Sequence, residues 1–469
     1  MNILILNGSP TGDGSITLQT MLYIQKLFPG HEYHVINVSQ KIKRIEKDFA
    51  PSREALEAAE LIVFCYPVYT FLVPAQLHRF IELMKAEDLD LSGKYATQVS
   101  TSKHFYDTTA HEFIRENCAD LGLRYIPGLS ADMEDLLRKK GQREAEAFFR
   151  HVLWAVENDS FERVLLPSPK ARNAAADIPG EPKAVSMDKR AVIVTDLAPE
   201  DAVLDAMIKR FIAAAPFSCA VVDLRQFPFA GGCLGCFHCA SDGKCVYRDN
   251  FDSFLRENIQ TADATVYAFT IRDHSMGYRF KLYDDRQFCN GHRTVTMGKP
   301  VAYLVNGDVS AEPNLTELIN ARAQVGRNHL AGIACSVGEP DRDIDALAAE
   351  LAYALENDFQ QPANFYGVGG MKIFRDLIFQ MQGLMREDHR FYKKHGFYDF
   401  PQKRVGTVLG MYLVGGMMTN RKLSKKLGGS MTKGMLMPYR AVIDRVKGPV
   451  PAPDHRAHKK LSFRSDKSK

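Results

Sequence analysis

Short, strongly apolar runs alternate along this chain with segments that have helical spacing. In the first half, strand-length apolar runs occur at Asn2–Leu6 and Leu61–Cys65, and helical periodicity occurs at Ser15–Phe28 and Pro74–Lys85. Strands that are apolar on both faces and are separated by helices are typical of a parallel sheet covered by helices on both sides. The sequence therefore predicts a doubly wound α/β fold with right-handed crossovers.

The same alternation restarts after a proline-rich stretch. Leu165–Ser186 has no periodicity and contains several prolines, which is typical of a linker. Beyond it, Arg190–Thr195 and Ala264–Thr270 have the pattern of buried strands, and Asp201–Ala214 and Asn250–Gln260 have the pattern of helices. We therefore expect two tandem copies of one architecture, with these limits: a first domain at 1–160, a linker at 161–188, a second domain at 189–360, a helical extension at 361–448 and a basic disordered tail at 449–469.

The extension differs in composition from both copies. Met371–Lys394 has apolar residues at helical spacing, and Val405–Met418 is rich in Gly and Met. For the second stretch we favour packing on the domains or on a second subunit, with peripheral membrane contact as the alternative. From Arg421 to Lys469 the chain has 14 Lys and Arg against 3 Asp and Glu, so the basic charge belongs to the tail. Nothing in this tail indicates specific binding of nucleic acid.

Composition sets the cellular context that we expect. The chain has 469 residues, of which 45% are hydrophobic and 25% charged, as in soluble globular proteins. It shows neither a signal peptide nor an apolar run long enough for a transmembrane segment, so we expect a cytoplasmic protein. Nine cysteines in a chain of this length do not indicate a disulfide framework, and four of them crowd between Cys233 and Cys245.

A turn rich in small and hydroxyl residues follows the first predicted strand. It runs Asn7-Gly8-Ser9-Pro10-Thr11-Gly12-Asp13-Gly14-Ser15-Ile16-Thr17. Hydroxyl donors and the start of a helix are suited to binding a single phosphate group. The turn lacks the Gly-Lys-Ser/Thr of nucleotide triphosphate loops and the G-x-G-x-x-G of dinucleotide folds. A polar strand-to-helix turn with a Ser N-cap is the alternative. The candidate phosphate ligands are Ser9, Thr11, Ser15 and Thr17.

Aromatic and hydroxyl residues follow the third and fourth predicted strands. Ligands of open α/β sheets bind at the carboxyl ends of the strands that flank the switch point. Tyr69 and Phe71 could flank an isoalloxazine ring there, and backbone groups near Val68 could meet its polar edge. Thr101 and Ser102 add hydroxyls to the same rim. Three such loops in the correct order predict a bound FMN.

These residues carry a family resemblance. The Gly-Ser-Pro turn and the run from Tyr66 to Ile81 resemble the NAD(P)H-dependent FMN reductases of the flavodoxin-like superfamily. The resemblance covers about residues 1–160. It implies FMN phosphate at the hydroxyl turn and the isoalloxazine near Pro67, Val68, Tyr69 and Phe71. Thr11 stands where many relatives carry Arg, so we expect weaker charge compensation of the phosphate.

The second copy contains a four-cysteine loop. Cys233, Cys236, Cys239 and Cys245 follow the spacing C-x2-C-x2-C-x5-C, and glycines around them permit tight turns. Thiolates on so short a loop can converge on an iron–sulfur cluster. A zinc site, a thiol redox pair, and a loop that binds nothing are the alternatives. The spacing resembles that of the iron–sulfur flavoproteins, which combine a four-iron cluster with FMN.

The two copies are complementary. The second has the acidic residues Asp196, Glu200 and Asp201 where a phosphate turn would lie, so we expect one FMN per chain, in the first copy. These features predict an oxidoreductase that moves electrons from NAD(P)H to a quinone, flavin or other acceptor, with a 4Fe-4S cluster. The alternative is a non-catalytic electron carrier that receives electrons from a ferredoxin-like protein. Related flavodoxin-like reductases are often dimers, so a homodimer is a further expectation.

Overall fold

The computed structural model describes residues 1–87, 89–170, 184–419, 436–437, 439 and 442–445. Residues Met1–Tyr398 form one compact unit, and the segment from Asp399 onward forms another. Residues 171–183 of the predicted linker and all of the predicted basic tail at 449–469 lie outside the described residues. In the described part, no helix combines the length and the hydrophobicity needed to cross a bilayer.

The first half of the larger unit is a parallel α/β sheet. Its strands run in the order β2-β1-β3-β4-β5, with β6 also paired to β4, and all pairs are parallel. This is the flavodoxin-type strand order. The elements are β1 Asn2–Asn7, α1 Ile16–Leu27, β2 Glu32–Ile36, α2 Val38–Ile45, α3 Ala50–Ala58, β3 Leu61–Pro67, α4 Ala75–Ala86, β4 Tyr95–Ser102, α5 Asp107–Asp120, β5 Arg124–Tyr125, β6 Leu129–Asp132 and α6 Lys139–Glu157.

The second half repeats this architecture. Its sheet has the order β11-β10-β9-β7-β8, which is the same topology when it is read from the other edge. Its elements, together with the C-terminal helices, are β7 Arg190–Thr195, α7 Ala202–Ala214, β8 Ser218–Asp223, α8 His238–Asp242, α9 Phe251–Phe254, β9 Ala264–Thr270, α10 Gly277–Arg286, β10 Pro300–Asn306, α11 Pro313–Gly326, β11 His329–Cys335, α12 Pro340–Glu356, α13 Phe365–Gln380, α14 Arg386–Lys394 and α15 Val405–Thr419. The predicted class of two doubly wound parallel sheets with a helical extension is confirmed.

The loops that follow the central strands show the repeat in atomic detail. Tyr69 and Leu72 exchange two backbone hydrogen bonds of 2.8 and 3.0 Å, and Arg272 and Ser275 exchange two of 2.9 Å. In each loop the two intervening residues have positive φ, at 43° and 69° in the first and 51° and 60° in the second. Such pairs define a tight turn of the I′ type. The second loop has therefore kept the backbone of the first while losing its aromatic side chains.

The two halves pack on each other through equivalent helices. Helix α4 lies against α10, and α5 lies against α11, as in a pseudo-twofold dimer. One hydrophobic core draws buried residues from both sheets. Polar contacts cross the same interface, because the buried Asp285 carboxylate accepts hydrogen bonds from Thr70 Oγ1 (2.9 Å) and Ala75 N (2.8 Å).

A histidine bridges the halves at the edge of this interface. His274 Nε2 lies 3.0 Å from Asp120 Oδ2, and its Nδ1 lies 3.0 Å from Glu312 Oε2. Burial lowers the pKa of His274, but hydrogen bonds to the two carboxylates outweigh it and raise the pKa to about 10. The bridge is therefore an imidazolium between two carboxylates near neutral pH.

Two predicted helices differ from those observed. The helix predicted at Met371–Lys394 is two helices, because α13 ends at Gln380 and a turn in which Leu384 N donates to Met381 O (2.9 Å) precedes α14. The helix predicted at Asn250–Gln260 is a short α-helix followed by the π-helix Leu255–Ile259. Met385, which lies between α13 and α14, is fully buried, so burial of its apolar side chain stabilises the interruption between these two helices.

Candidate active site

The hydroxyl turn is rigidly built between β1 and α1. Ser15 caps α1, since its Oγ accepts a hydrogen bond from Leu18 N (3.2 Å). Asn7 Nδ2 donates to Gly12 O (2.9 Å), and this hydrogen bond joins the two ends of the turn. A Cβ added to Gly8 would lie 2.6 Å from Leu77 Cδ2, so the close approach of the turn to α4 requires glycine.

The hydrogen-bond donors of this turn are of the kind that bind an anion. Ser9 Oγ and Thr11 Oγ1 lie 2.9 Å apart, and Thr17 Oγ1 lies 2.5 Å from Thr101 Oγ1. The backbone N–H groups of Ile16 and Thr17 have no partner within the helix, as is usual for the first turn of a helix. Converging hydroxyl and N–H donors at a helix N-terminus are suited to a phosphate.

The aromatic rim lies beside this turn. Phe71 is 5% exposed and packs on Phe105 and Tyr106, with ring centroids 5.2 and 4.8 Å away. Val68 N donates to Thr101 O (3.1 Å), so this particular N–H group is already engaged. The prediction that backbone groups near Val68 meet the polar edge of the ring stays a prediction. Burial, and to a lesser extent the nearby Cys233, raises the pKa of Tyr69 far above its usual value, so the phenol is neutral.

Rings from three parts of the chain continue the rim into an aromatic wall. Neighbouring ring centroids along it are 4.2 to 6.0 Å apart. Phe105 and Phe374 are stacked with an angle of 25° between their planes. In order, the wall consists of Tyr69, Phe288, His292, Phe374, Phe105 and Phe71.

One cavity of about 490 Å³ joins these features. All ten residues predicted to bind FMN line it, as do all four cysteines of the predicted cluster. The volume is in the range usual for small-molecule sites. The lining residues come from both halves and from α13, so the structure brings together groups that are more than 300 residues apart in sequence. The predicted residues in this lining are Ser9, Thr11, Ser15, Thr17, Pro67, Val68, Tyr69, Phe71, Thr101, Ser102, Cys233, Cys236, Cys239 and Cys245.

The four-cysteine loop is anchored firmly beside the aromatic rim. Arg286, which is 2% exposed, donates to Gly231 O (2.9 Å) and forms a bidentate pair with Asp249 (2.7 Å for each bond). Lys43 of the first half donates to Ala230 O (2.6 Å). Gly235 has a φ of +63°, and a Cβ there would overlap the Tyr69 hydroxyl.

The spacing of the sulfurs bears on what this loop could bind. Four thiolates around one zinc ion at 2.3 Å lie about 3.8 Å from one another, because the geometry is tetrahedral. Among the described residues, the cysteines provide no three ligand atoms within 4.8 Å of one another. In a four-iron cluster each thiolate binds a different iron atom, so the sulfurs lie farther apart. The described cysteines therefore do not form a preassembled zinc site.

Burial raises the pKa of two of the four cysteine thiols, Cys233 and Cys239. Burial, followed by the nearby Asp388, raises the pKa of Cys239 to about 11, and burial raises the pKa of Cys233 still further. Binding a metal centre would therefore release protons. A fifth cysteine, Cys289, lines the same cavity, and burial raises its pKa to about 12.

The second half has no comparable anion site. Asp201 caps α7 and accepts a hydrogen bond from Leu204 N (3.2 Å). The same carboxylate accepts from Asn306 Nδ2 (2.8 Å) and from the Thr270 hydroxyl. Asp201 lies at the start of α7, the position that corresponds to the hydroxyl turn before α1, and its two partners lie at the carboxyl ends of β9 and β10. A carboxylate of the protein thus takes the donors that a ligand would need.

Comparison with known proteins bears on the first half. Residues 1–132 match the model of a family described as NADPH-dependent FMN reductase. This segment carries the signature of the FMN reductases. The resemblance predicted from the hydroxyl turn and the run Tyr66–Ile81 is thereby confirmed for the FMN-reductase segment, and that family is one of oxidoreductases. The match ends before the cysteine loop, so iron–sulfur ligation stays a prediction.

Several solved structures are similar over about a third of the chain. A FMN-dependent NADH-azoreductase from Bacillus anthracis, in complex with FMN, is 12% identical, with 34% of this chain and 99% of that one covered and a TM-score of 0.26. A NADPH-quinone reductase from P. pentosaceus is 16% identical, with 35% and 100% covered and a TM-score of 0.25. A NAD(P)H:quinone oxidoreductase from Methanothermobacter marburgensis is 12% identical, with 35% and 97% covered and a TM-score of 0.26. No curated protein sequence is significantly similar to the chain.

Sequence reasoning did not find part of this site. Phe288, His292 and Cys289 lie on the segment that follows α10, and Phe374 lies on α13. None of them belongs to a motif, because their positions depend on how the second half and the C-terminal helices pack on the first. Phe288, Cys289 and His292 lie close together in the sequence, but this grouping matches no known motif.

Proposed function

We propose that the chain is an NAD(P)H-dependent oxidoreductase that holds one FMN in its first half and delivers electrons to a quinone, a flavin or another small acceptor. One observation carries this proposal. A single cavity has the hydroxyl turn, the aromatic wall and the cysteine loop on its lining. A flavin would need phosphate donors and a slot for its ring, which is the space beside the aromatic wall. A redox partner would need the set of thiols.

The chain's own residues divide the binding of FMN between them. The hydroxyls of Ser9 and Thr11 and the N–H groups at the start of α1 would hold the phosphate with neutral donors. Lys103 lines the cavity but pairs with Asp132 (2.9 Å), so it adds little compensating charge. The aromatic wall would enclose the ring and exclude water. Bound FMN supplies both hydride and single-electron chemistry.

We further propose that the four cysteines hold a 4Fe-4S cluster. The C-x2-C-x2-C-x5-C sequence spacing, the glycine turns and the buried Arg286–Asp249 anchor support this proposal. A bound cluster accepts one electron at a time. Contact between Gly235 and Tyr69 would bring the cluster loop to the edge of the flavin slot, so electrons would have a short path between the two centres.

Cofactor analysis after anaerobic purification tests both proposals. We expect one FMN and about four irons per chain, with flavin absorption bands above a broad iron–sulfur shoulder. Two flavins per chain would contradict the role given to Asp201. Zinc without iron would contradict the cluster, and a colourless protein would contradict the whole assignment.

A second candidate is an electron carrier without turnover of its own. The stacking of Phe374 on Phe105 favours it, because these rings would restrict the approach of a nicotinamide to the cavity. Reduction by NADH or NADPH with a quinone acceptor separates the candidates. Absence of turnover with either nucleotide, combined with fast reduction by a reduced ferredoxin, would favour the carrier.

A further inference from the structure

One histidine of the aromatic wall has the environment of a catalytic acid. His292 Nδ1 lies 3.0 Å from Asp388 Oδ2, and the same carboxylate oxygen accepts a hydrogen bond from His292 N (3.0 Å). The Asp388 side chain is fully buried, and its other oxygen accepts from Arg293 (2.9 Å). A carboxylate fixed in this way holds the proton on Nδ1 and orients the ring.

The second nitrogen of the His292 ring, Nε2, is not engaged by the Asp388 carboxylate. His292 Nε2 has no hydrogen-bond partner among the described residues, and the residue lines the cavity. The ring edge packs on Phe374 at 4.8 Å and on Phe288 at 5.9 Å, which limits its rotation. A Cβ at Gly291 would overlap Asp388 Oδ1, so the loop is shaped around this carboxylate. The Asp388 contact engages Nδ1 and leaves Nε2 as the ring nitrogen available to a ligand of the cavity.

We infer that His292 is the proton donor for reduction of the acceptor, with Asp388 as its positioning residue; this inference rests on the proposed function. Reduction of a quinone to a hydroquinone requires two electrons and two protons. A hydride from the reduced flavin of the proposed function would bring both electrons and one of the two protons to the acceptor. The imidazolium gives the second proton from Nε2 to the quinone oxygen and becomes neutral. Solvent then returns a proton to Nε2.

The inference assigns a catalytic task to the C-terminal extension. Asp388 lies on α14, which packs against α8 of the cysteine loop, while His292 lies in the second half. The aromatic wall takes Tyr69, Phe71 and Phe105 from the first half and its other three rings from the rest of the chain. A complete site therefore needs both halves and the extension. The competing explanation is that His292 and Asp388 only fasten α14 to the body.

Acceptors that differ in their need for protons separate these explanations. Reduction of 2-methyl-1,4-naphthoquinone consumes protons, whereas reduction of ferricyanide transfers electrons alone. In His292→Asn the amide can keep the hydrogen bond to Asp388 but has no group at the Nε2 position. We expect naphthoquinone reduction by the dithionite-reduced protein to slow by about 100-fold or more, since general acids contribute on that scale. Ferricyanide reduction and flavin content should stay unchanged.

The variants include a matched control and a test of position. His104 Nδ1 lies 2.9 Å from Asp107 Oδ2, but His104 is half-exposed and does not line the cavity, so His104→Asn should match the wild type with both acceptors. Asp388→Asn should lower kcat for naphthoquinone without raising KM, and Asp388→Glu should restore part of it. Equal losses with both acceptors in His292→Asn would overturn the inference, and so would no loss with either.

A chemical readout is independent of turnover. Diethyl pyrocarbonate modifies an accessible imidazole nitrogen, and peptide mass spectrometry locates the adduct. We expect modification of His292 in the purified protein and protection when 2-methyl-1,4-naphthoquinone is added. Modification that the naphthoquinone does not reduce would contradict a place for His292 in the acceptor slot. A wild-type protein without flavin would instead refute the proposed function.

Discussion

The His274 bridge should make the packing of the two halves sensitive to alkaline pH. The folded-state pKa of about 10 is above the ordinary value of 6.5, so the bridge stabilises the folded state fully below pH 6.5. This stabilisation is lost as the pH rises through 10. Each pH unit between these values lowers the free energy of unfolding by up to about 1.4 kcal/mol.

The size of the effect follows from the burial of the ring. The side chain of His274 is 14% exposed, and both nitrogens are engaged. The full slope from pH 7 to pH 10 would give about 4 kcal/mol, and solvent screening at the exposed edge reduces it, so we expect about 2 to 3 kcal/mol. Glu116 lies close to His274 and Glu312. Burial is the main cause that raises the pKa of Glu116 to about 7, so its titration falls mostly below the range from pH 7 to pH 10.

Urea unfolding of wild type and His274→Gln at pH 7, 8.5 and 10 measures this difference. The wild type should lose about 2 to 3 kcal/mol more than the variant across the range, because ionisation of the thiols and lysines is common to both. His151→Gln removes an exposed histidine and should follow the wild type. Equal slopes for the wild type and His274→Gln would refute the proposed ion bridge.

Three further outcomes are expected. Thr17→Val removes the hydroxyl that meets Thr101, and we expect about tenfold weaker FMN binding by flavin fluorescence, since one such hydrogen bond contributes about 1.4 kcal/mol; unchanged affinity would exclude Thr17 from the phosphate site. Cys236→Ser should lower the iron content while FMN stays at one per chain, and full iron would remove Cys236 from the ligands. Gly235→Ala should lower the midpoint of thermal unfolding because its Cβ overlaps the Tyr69 hydroxyl. Adding Tyr69→Phe removes that hydroxyl and should restore part of the lost midpoint. If nothing is recovered, the positive φ of residue 235 alone accounts for the lower midpoint.

Local patterns predicted the frame of the molecule well. The apolar strands and the hydroxyl turn are determined by nearby residues, so Asn2–Leu6 and Leu61–Cys65 were recognised within two residues of their observed ends. Helix α10 was missed because its pattern is polar. It buries Lys281, Asp284, Asp285 and Arg286. Lys281 pairs with Asp285 within the helix, whereas Asp284 pairs with Arg322 and Arg286 with Asp249, which are distant in sequence.

The remaining parts of the site depend on tertiary packing. His292 and Phe374 meet although more than 80 residues separate them, and no periodicity reports such a contact. The helix predicted at Met371–Lys394 was interrupted by burial of Met385, which the helical spacing did not reveal. The hydroxyl turn was predictable because its chemistry is local, whereas the aromatic wall was not.

Covalent linkage of the two halves has a consequence for how the site responds to dilution. In a protein assembled from two separate chains, a cavity shared between subunits comes apart at low concentration. Here the linker keeps the partner half at a high effective concentration, whatever the amount of protein in the cell. Each half was therefore free to lose features that a symmetric pair must keep in duplicate, such as the second anion turn that Asp201 now fills.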